Sequence, residues 1–309
     1  MRIYVSGSLA FDRIMSFPGK FSDHILPDKI HILNVCFLVN GLDERFGGTA
    51  GNIAYSLALL GEKPVIASSG GKDFGPYAER LTGLGLSLEG VRLVEDEFTA
   101  GAYITTDQSD NQITGFNPGA MKHKSGYKPA PGPEASLAIV SPGNLQDMLD
   151  YPALYRKQGI PYIFDPGQNI TALTGDQLLS AIAGSRALVT NDYELQLILN
   201  ATGKTREDLL GMTLALVTTL GEHGSIVAEA GKETKVKPAK PKQVADPTGA
   251  GDAFRAGLIK GLCLGRCLAD AALLGSTCAA YCVEKLGTQE HSFTEAEFWA
   301  RHKESFGTA

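Results

Sequence analysis

The sequence predicts an α/β fold with a doubly wound, mostly parallel β-sheet. Short apolar runs rich in β-branched residues alternate with helix-like segments, as in repeated βαβ units. Most of these runs are apolar at nearly every position, which is typical of parallel strands covered by helices on both faces. Two regions, 11–48 and 98–117, break this alternation, and we expect them to form a small second sheet beside the main one.

The predicted elements follow one another in a regular order. Six runs predict strands, at 2–7, 64–69, 137–141, 161–165, 187–190 and 214–219. Helical patterns occupy 52–60, 145–158, 175–183 and 192–200, and later 249–263, 267–285 and 294–302. The first of these helices ends before Gly61, a residue suited to the left-handed turn after a helix. Residues 225–237 predict a hairpin, and the candidate strands of the small sheet are 35–39, 102–106 and 112–116.

Length, composition and charge exclude several classes of protein. The 309 residues suffice for two domains or for one large α/β domain with an appendage. The net charge of −6 argues against a nucleic-acid partner bound by phosphate neutralisation. No stretch approaches the length of a membrane-spanning apolar helix, so we expect no membrane partner. The odd number of cysteines, 5, and a start without a secretory signal favour a cytoplasmic protein.

The strongest chemical signal is DPTGAGD at 246–252, directly before a predicted helix. Gly249 and Gly251 flank one small residue, so the backbone there can approach a ligand closely. The helix start offers N–H groups and a dipole that attract an anion. An aspartate at a helix start is ordinarily a cap, but Asp252 inside an anion site would repel its ligand. That arrangement makes sense if Asp252 takes a proton from a hydroxyl group that attacks a phosphate.

A second glycine-rich helix start lies in RFGGTAGN, residues 45–52. Its glycines expose the backbone before a helix, although such a turn on its own is usually structural. The segment is not a Walker phosphate-binding loop, because no Lys followed by Ser or Thr is present. A GxGxxG pattern after a strand is also missing, so a dinucleotide-binding site is not expected.

Together the two motifs resemble the signatures of the ribokinase (PfkB-type) family of sugar and nucleoside kinases. GGTAGNIAYSLALLG at 47–61 is similar to the N-terminal signature, and DPTGAGDAFRAGL at 246–258 is similar to the C-terminal one. The resemblance covers the whole chain, including TNDYE at 190–194 and TTLGEHGS at 218–225. It implies ATP-dependent phosphorylation of a hydroxymethyl group. It also implies a three-layer, ribokinase-like fold that forms one unit over 1–309, with the small sheet as a lid over the acceptor.

Within that family, the acceptor region is similar to bacterial adenosine kinases of mycobacterial type. The similarity lies in GSLAFD at 7–12, FPGKF at 17–21, CFLV at 36–39, FNPGAM at 116–121 and LGTQE at 286–290. It implies a nucleoside acceptor, with adenosine converted to AMP in purine salvage. Since Cys36, Ala102 and Gln168-Asn169 depart from the pattern, a wider pocket would admit inosine, guanosine or a plain sugar. The alternatives are therefore a sugar kinase for ribose, fructose or a related compound and a non-catalytic nucleotide-binding regulator.

The resemblance implies roles for individual residues on the acceptor side. Asp252 would be the general base, and Gly249, Ala250 and Gly251 would form the oxyanion hole around the transferred phosphoryl group. Asp12, Gly48 and Asn52 would hold the ribose hydroxyls, and Phe116 would stack on the base. The other residues of the acceptor pocket would be Ser8, Cys36, Gln168 and Asn169.

The resemblance also implies an ATP side and two cation sites. The ATP-binding residues would be Asn191, Glu194, Thr219, Gly221 and Gly224, with Glu194 organising Mg²⁺ through water. Asp246 and Thr248 would begin the loop that holds K⁺ in some relatives. Arg255, after the glycine turn, fits either solvation on the helix face or contact with a phosphate. The implied partners are thus a nucleoside or sugar, ATP, the two cations, and a second copy of the chain joined through the lid.

Overall fold

The computed structural model describes residues 1–129 and 136–307. The strands in this part of the chain are β1 Arg2–Ser6, β2 Ala10–Ser16, β3 Leu42–Gly47, β4 Val65–Gly71, β5 Val91–Val94, β6 Ala100–Thr106, β7 Gln112–Asn117, β8 Ser136–Val140, β9 Tyr162–Phe164, β10 Ala187–Asn191, β11 Ala215–Thr219, β12 Ser225–Glu229 and β13 Lys232–Val236. The helices are α1 Thr49–Leu59, α2 Gly75–Gly83, α3 Leu145–Gln158, α4 Gly175–Ile182, α5 Asp192–Thr202, α6 Arg206–Leu210, α7 Ala250–Cys263, α8 Leu268–Val283 and α9 Glu295–Phe306. Within the same residues, no helix is both long and apolar enough to cross a membrane.

The centre of the molecule is a nine-stranded sheet in the order β13-β12-β11-β10-β9-β8-β1-β4-β5. Seven strands of this sheet run parallel to one another, namely β5, β4, β1, β8, β9, β10 and β11. Strands β12 and β13 add an antiparallel hairpin at the β11 edge. Successive residues of β1 enter opposite cores: Ile3 and Val5 lie on the side of α1 and α7, and Tyr4 lies on the side of α3 to α6. This three-layer arrangement confirms the predicted fold class, and the six predicted core strands agree with it to within two residues.

A four-stranded sheet in the order β3-β2-β6-β7 forms the lid. Its strands come from the two predicted regions, and β2 pairs with β6 in parallel while the other two pairs are antiparallel. The predicted strand at 35–39 is wrong, because this segment has no regular structure. Its Phe37 ring packs on Phe17 and Phe21, at centroid distances of 4.8 and 5.0 Å, so ring contacts rather than a strand ladder explain its apolar character. The charged strands β2 and β3 take its place in the sheet.

Helices α7 and α8 pack unusually closely because glycine lies at their contact. A Cβ added to Gly257 would meet the backbone carbonyl of Leu274, and one added to Gly275 would lie 2.7 Å from the carbonyl oxygen of Phe254. Both conflicts involve backbone atoms, which cannot rotate away as a side chain can. This contact therefore determines the distance between α7 and α8, and with it the position of the glycine turn before α7.

We expect Gly257→Ala to lower the free energy of unfolding by about 1–3 kcal/mol, as overpacked cores typically do. Gly83→Ala, at the end of α2, is the matched control because its added Cβ has open space around it. Alanine favours the helix there, so this variant should keep its stability or gain up to about 1 kcal/mol. Urea unfolding followed by circular dichroism measures both, and equal midpoints would contradict the tight contact.

Candidate active site

A cavity of about 730 Å³ lies between the lid and the carboxyl ends of the central parallel strands. Ligands of open α/β sheets commonly bind at these strand ends. Most of the site residues predicted from the sequence line this cavity, although they come from distant parts of the chain. They are Ser8, Asp12, Gly48, Asn52, Phe116, Gln168, Asn169, Asn191, Glu194, Thr219, Gly221, Thr248, Gly249, Gly251 and Asp252.

Four predicted residues do not line the cavity. Cys36 is exposed, on the segment that is not a strand. Gly224 has a φ of 86° in the turn between β11 and β12, where an added Cβ would meet the carbonyl of Val236. Ala250 is the first residue of α7, and Asp246 lies in the loop before it. A structural role thus explains Gly224, and ligand contacts of these four residues stay predictions.

Asp252 lies in the first turn of α7 and lines the cavity. Burial raises its pKa to about 7, while the Arg255 guanidinium and a hydrogen bond from Asn52 oppose that rise. The hydrogen bond joins Asn52 Nδ2 to Asp252 Oδ2 at 2.8 Å. A carboxyl group with such a pKa can both accept and release a proton near neutral pH.

The start of α7 requires glycine at its N-cap, Gly249, whereas Gly251 is the second residue of the helix. Gly249 has a φ of 79°, and its added Cβ would lie 2.9 Å from Thr288 Cγ2. A Cβ added to Gly251 would lie 2.8 Å from Arg255 Nη1. The bare backbone leaves the N–H groups at the helix start open to the cavity, so this turn can hold an anion beside Asp252.

Arg255 is buried in an ion pair with Asp165 that sequence reasoning missed. The two side chains are 6% and 2% exposed, and Arg255 Nη2 donates to Asp165 Oδ1 at 2.7 Å. The interpretation of Arg255 as solvated on the helix face is therefore wrong, because the side chain points into the core and the cavity wall. Asp165 directly follows β9, so the rule that site residues lie at the carboxyl ends of parallel strands could have identified it.

Asn191 and Glu194 form a capping box at the start of α5. The Asn191 side chain accepts from the Glu194 N–H at 2.7 Å, and Glu194 Oε2 accepts from the Asn191 N–H at 2.8 Å. Local structure thus explains why these residue types occur three apart. Both also line the cavity, as do Thr219 and Gly221.

Asp246 ties the loop before α7 to the loop after α8. Its Oδ1 accepts from the Thr248 N–H at 2.9 Å, and its Oδ2 accepts from the Gly287 N–H at 3.0 Å. Burial would raise the pKa of Asp246, but these hydrogen bonds outweigh it and the pKa is lowered. Among residues 1–129 and 136–307, no group of three or more His, Cys, Asp or Glu could hold a metal ion.

The lid supplies two groups to the other end of the cavity. Asp12 on β2 lies opposite Arg45 on β3, and an added Cβ at Gly47 would be 2.5 Å from Asp12 Oδ2. Burial raises the pKa of Asp12, and Arg45 opposes the rise. Phe116 on β7 is 52% exposed, so its ring is available to a ligand in the cavity.

The chain is similar to known kinases over most of its length. Residues 23–295 match the pfkB family carbohydrate kinases. A nucleoside kinase of Methanocaldococcus jannaschii is 32% identical over 259 residues, which are 83% of this chain and 85% of that protein. The structure of Burkholderia thailandensis nucleoside kinase in complex with inosine has a TM-score of 0.87 at 36% identity, with 99% of each chain covered. An Arabidopsis thaliana ribokinase complexed with ribose and ATP has a TM-score of 0.76 at 19% identity, over 98% of each chain.

The matched residues include both glycine-rich motifs and all the strands of the lid except β2, which precedes them. Kinases of this family use ATP, typically with Mg²⁺, and transfer a phosphoryl group to an alcohol. The chain is accordingly a phosphotransferase with an alcohol group as acceptor, and it belongs to the pfkB family of carbohydrate kinases.

Proposed function

We propose that this chain is an ATP-dependent nucleoside kinase that phosphorylates the 5′-hydroxyl group, with adenosine as its preferred acceptor. The observation that carries the proposal is the half-buried Asp252, which lines the cavity at a helix start able to bind an anion and has a pKa of about 7. The acceptor class is supported by the relatives, since the proteins from Methanocaldococcus jannaschii and Burkholderia thailandensis are nucleoside kinases.

In the proposed reaction Asp252 takes the proton of the 5′-hydroxyl group while the hydroxyl oxygen attacks the γ-phosphorus of ATP. The bond from that phosphorus to the β,γ-bridging oxygen breaks, and ADP leaves with the electron pair. The N–H groups at Gly249 to Gly251 stabilise the charge on the phosphoryl oxygens during the transfer. Bound Mg²⁺ would neutralise phosphate charge, and Asn191 and Glu194, which line the cavity, would hold its water shell.

Adenosine is proposed because the lid offers one group for each part of a nucleoside. The buried carboxylate of Asp12 can accept hydrogen bonds from the vicinal hydroxyls of ribose. The exposed ring of Phe116 can stack on a flat purine. Ser8, whose Oγ accepts from the Thr49 N–H at 3.0 Å, and the Gln168-Asn169 pair complete the polar wall of the cavity.

The two alternatives share most of these residues. A sugar kinase would use the same Asp252 and glycine turn but would not need Phe116. A non-catalytic regulator would have no use for a buried carboxylate at an anion site, because it would only weaken nucleotide binding. The acceptor, rather than the phosphoryl chemistry, therefore separates the first alternative from our proposal.

We also propose that two copies associate through the lid. The segment before β3 and the first residue of that strand expose several large apolar side chains, which is unusual for a free surface. These include Leu26, Ile30, Ile32, Leu33, Leu38 and Leu42, of which Leu38 is 85% exposed. A second copy placed against this segment would remove them from water.

We expect adenosine to have the highest kcat/KM in a panel of adenosine, inosine, guanosine, ribose and fructose. Phe116→Ala should raise the KM for adenosine by about tenfold or more, because stacking and apolar burial are both lost. Ile113→Ala is the control, since this residue is an exposed apolar side chain of the same strand that does not line the cavity. ADP release measures each rate. A sugar preferred over every nucleoside, with that ratio unchanged in Phe116→Ala, would favour the sugar-kinase alternative.

Asp252→Asn should lower kcat by at least about 10²-fold, because it removes the base and keeps the side chain's size. ATP binding, measured by calorimetry, should be nearly unchanged. Only the deprotonated base is active, so kcat/KM of the unmodified chain should rise with pH and level off above about 7. Asp176→Asn, an exposed aspartate in the first turn of α4, should change neither property. An Asp252→Asn variant with more than a tenth of the original kcat would remove Asp252 from this role.

K⁺ should increase the rate over that in Na⁺ or in Tris alone, because Asp246 and Thr248 resemble the start of the cation loop of K⁺-binding relatives, and Asp246 joins this loop to the segment after α8. Asp246→Asn should weaken this stimulation, since an amide cannot accept at both positions in the same way. Steady-state rates at constant ionic strength measure the effect. Equal rates in the three buffers would show that the loop carries no activating cation.

A further inference from the structure

A line of buried hydrogen bonds connects the lid to Asp252 through residues that the proposed function does not use. The Tyr77 hydroxyl donates to the Gly47 carbonyl at 2.7 Å. Gln289 Nε2 donates to the Tyr77 oxygen at 2.8 Å and to Asn52 Oδ1 at 3.1 Å. Asn52 Nδ2 then donates to Asp252 Oδ2 at 2.8 Å. The line joins a lid strand, α1, α2, the segment after α8 and the helix that carries Asp252.

The polarity of this line is fixed at its lid end. The Gly47 carbonyl can only accept, so the single proton of the Tyr77 hydroxyl is used there. The Tyr77 oxygen can then only accept from Gln289, which must turn its NH₂ group toward it. The second hydrogen of that group points to Asn52, so Asn52 presents Oδ1 to Gln289 and Nδ2 to Asp252. A side-chain amide has nearly the same shape in both orientations, and here the partners decide which one it adopts.

Burial makes the opposite orientation of Asn52 costly. Tyr77, Gln289 and Asn52 are 0%, 1% and 5% exposed, so water cannot replace a lost partner. A flipped Asn52 would place its amide oxygen against the carboxylate of Asp252, with two acceptors facing each other. The Gln289 backbone is held as well, because Arg80 Nη2 donates to its carbonyl at 2.8 Å.

We propose that Gln289 and Tyr77 are positioning residues for the general base, which hold the Asn52 amide as a donor to Asp252 and link that donor to the lid carbonyl of Gly47. The inference rests on the proposed role of Asp252 as the base. The link reaches the acceptor end of the cavity, since Gly47 lies beside the Asp12 carboxylate. Gln289 belongs to the LGTQE segment of the acceptor-region resemblance, in which no single residue has a predicted role.

Other titratable and charged groups also face this line, and they stay the same in each variant below. They are Arg255 on α7, Asp165 after β9, Glu194 on α5, Cys282 on α8, Asp246 before α7, Asp12 on β2 and Arg80 on α2. A change in the protonation of Asp252 on substitution of Gln289 therefore reports on how firmly Asn52, the hydrogen-bond donor to Asp252, is held.

The first test is the pH dependence of kcat/KM in Gln289→Met, which keeps the length of the side chain but has no donor. Without Gln289, the Asn52 amide loses the partner that holds it as a donor, so its hydrogen bond to Asp252 should weaken. A hydrogen bond to the charged form lowers a carboxyl pKa, so its weakening should move the inflection upward by roughly one pH unit. With a shift of that size from a pKa of about 7, the rate near pH 7 should fall about fivefold, and the difference should disappear at higher pH. Tyr77→Phe should shift the inflection in the same direction, and it decides the question if Gln289→Met does not fold.

Gln158→Met is the matched control for a purely structural effect. Gln158, like Gln289, has a buried amide oxygen without a partner, and its Nε2 donates to the Pro129 carbonyl at 3.0 Å. It lies at the end of α3 and does not line the cavity. This variant should lose stability without moving the inflection. An inflection that moves equally in Gln158→Met, or that stays in place in folded Gln289→Met and Tyr77→Phe, would overturn the proposal.

The second test needs no substrate, so it separates this inference from the proposed function. The free energy of unfolding is measured as a function of pH for the ligand-free protein and for its Asp252→Asn variant. The difference between the two curves is the contribution of Asp252 to stability at each pH. Because folding raises the pKa of Asp252, its contribution to stability falls as pH rises above the unfolded pKa and becomes constant above the folded one. In the Gln289→Met background the constant region should begin at a higher pH. An unchanged onset would refute the positioning role even if nucleosides are phosphorylated.

Discussion

The removal of one carboxylate from water is the constraint on which the candidate site depends. Burial alone would leave Asp252 protonated at neutral pH, and a protonated carboxyl group cannot act as a base. The charge of Arg255 and the hydrogen bond from Asn52 oppose burial, and the balance is a pKa of about 7. If these two interactions opposed burial more strongly, the pKa would be lower and the carboxylate would be a weaker base. The pKa of Asp252 is therefore a difference between large opposing effects. A neighbour outside the motif can change this pKa by changing either effect.

The ion pair of Arg255 and Asp165 illustrates this balance. A buried guanidinium without a partner would be very costly, and Asp165 removes that cost through a direct hydrogen bond. The pair also places a positive group under Gly251, where an added Cβ would touch it. An anion at the helix start would thus meet the positive end of the pair, while the net charge of the pair stays zero. Glycine at position 251 avoids contact with the end of the Arg255 side chain.

Much of the fold could be predicted because it depends on local patterns. The buried parallel strands are apolar runs, and the glycine turns are recognisable from a few neighbouring residues. The strands β2 and β3 could not be recognised in the sequence, because half-exposed lid strands carry charged residues such as Arg13 and Glu44. The apolar segment at 35–39 was predicted as a strand but is not one. Its Phe37 is covered by other aromatic rings, and such a cluster buries apolar residues as well as a sheet does.

The site was predictable where a motif is continuous, and it was not predictable where contacts join distant residues. Asp252 and its glycines lie within seven residues of sequence, 246–252. Gln289 meets Asn52 across 237 positions, and no local pattern marks a glutamine as the partner of an asparagine. Asp165 and Arg255 are separated by 90 positions in the same way. Such pairs become visible only when the topology is known.

The topology also explains why the lid and the base are connected. The chain leaves the central sheet after β1 to form β2, and it returns from β3 directly into α1, which carries Asn52. At the return point Gly48 has a φ of 87°, and an added Cβ would lie 2.6 Å from the Ser8 carbonyl oxygen, so the two crossing segments are in close contact. A displacement of β3 would move the Gly47 carbonyl that accepts from Tyr77. The lid therefore reaches Asp252 twice, through the backbone into α1 and through the hydrogen bonds of Tyr77, Gln289 and Asn52, and these two connections are why the proposed base would respond to the position of β3.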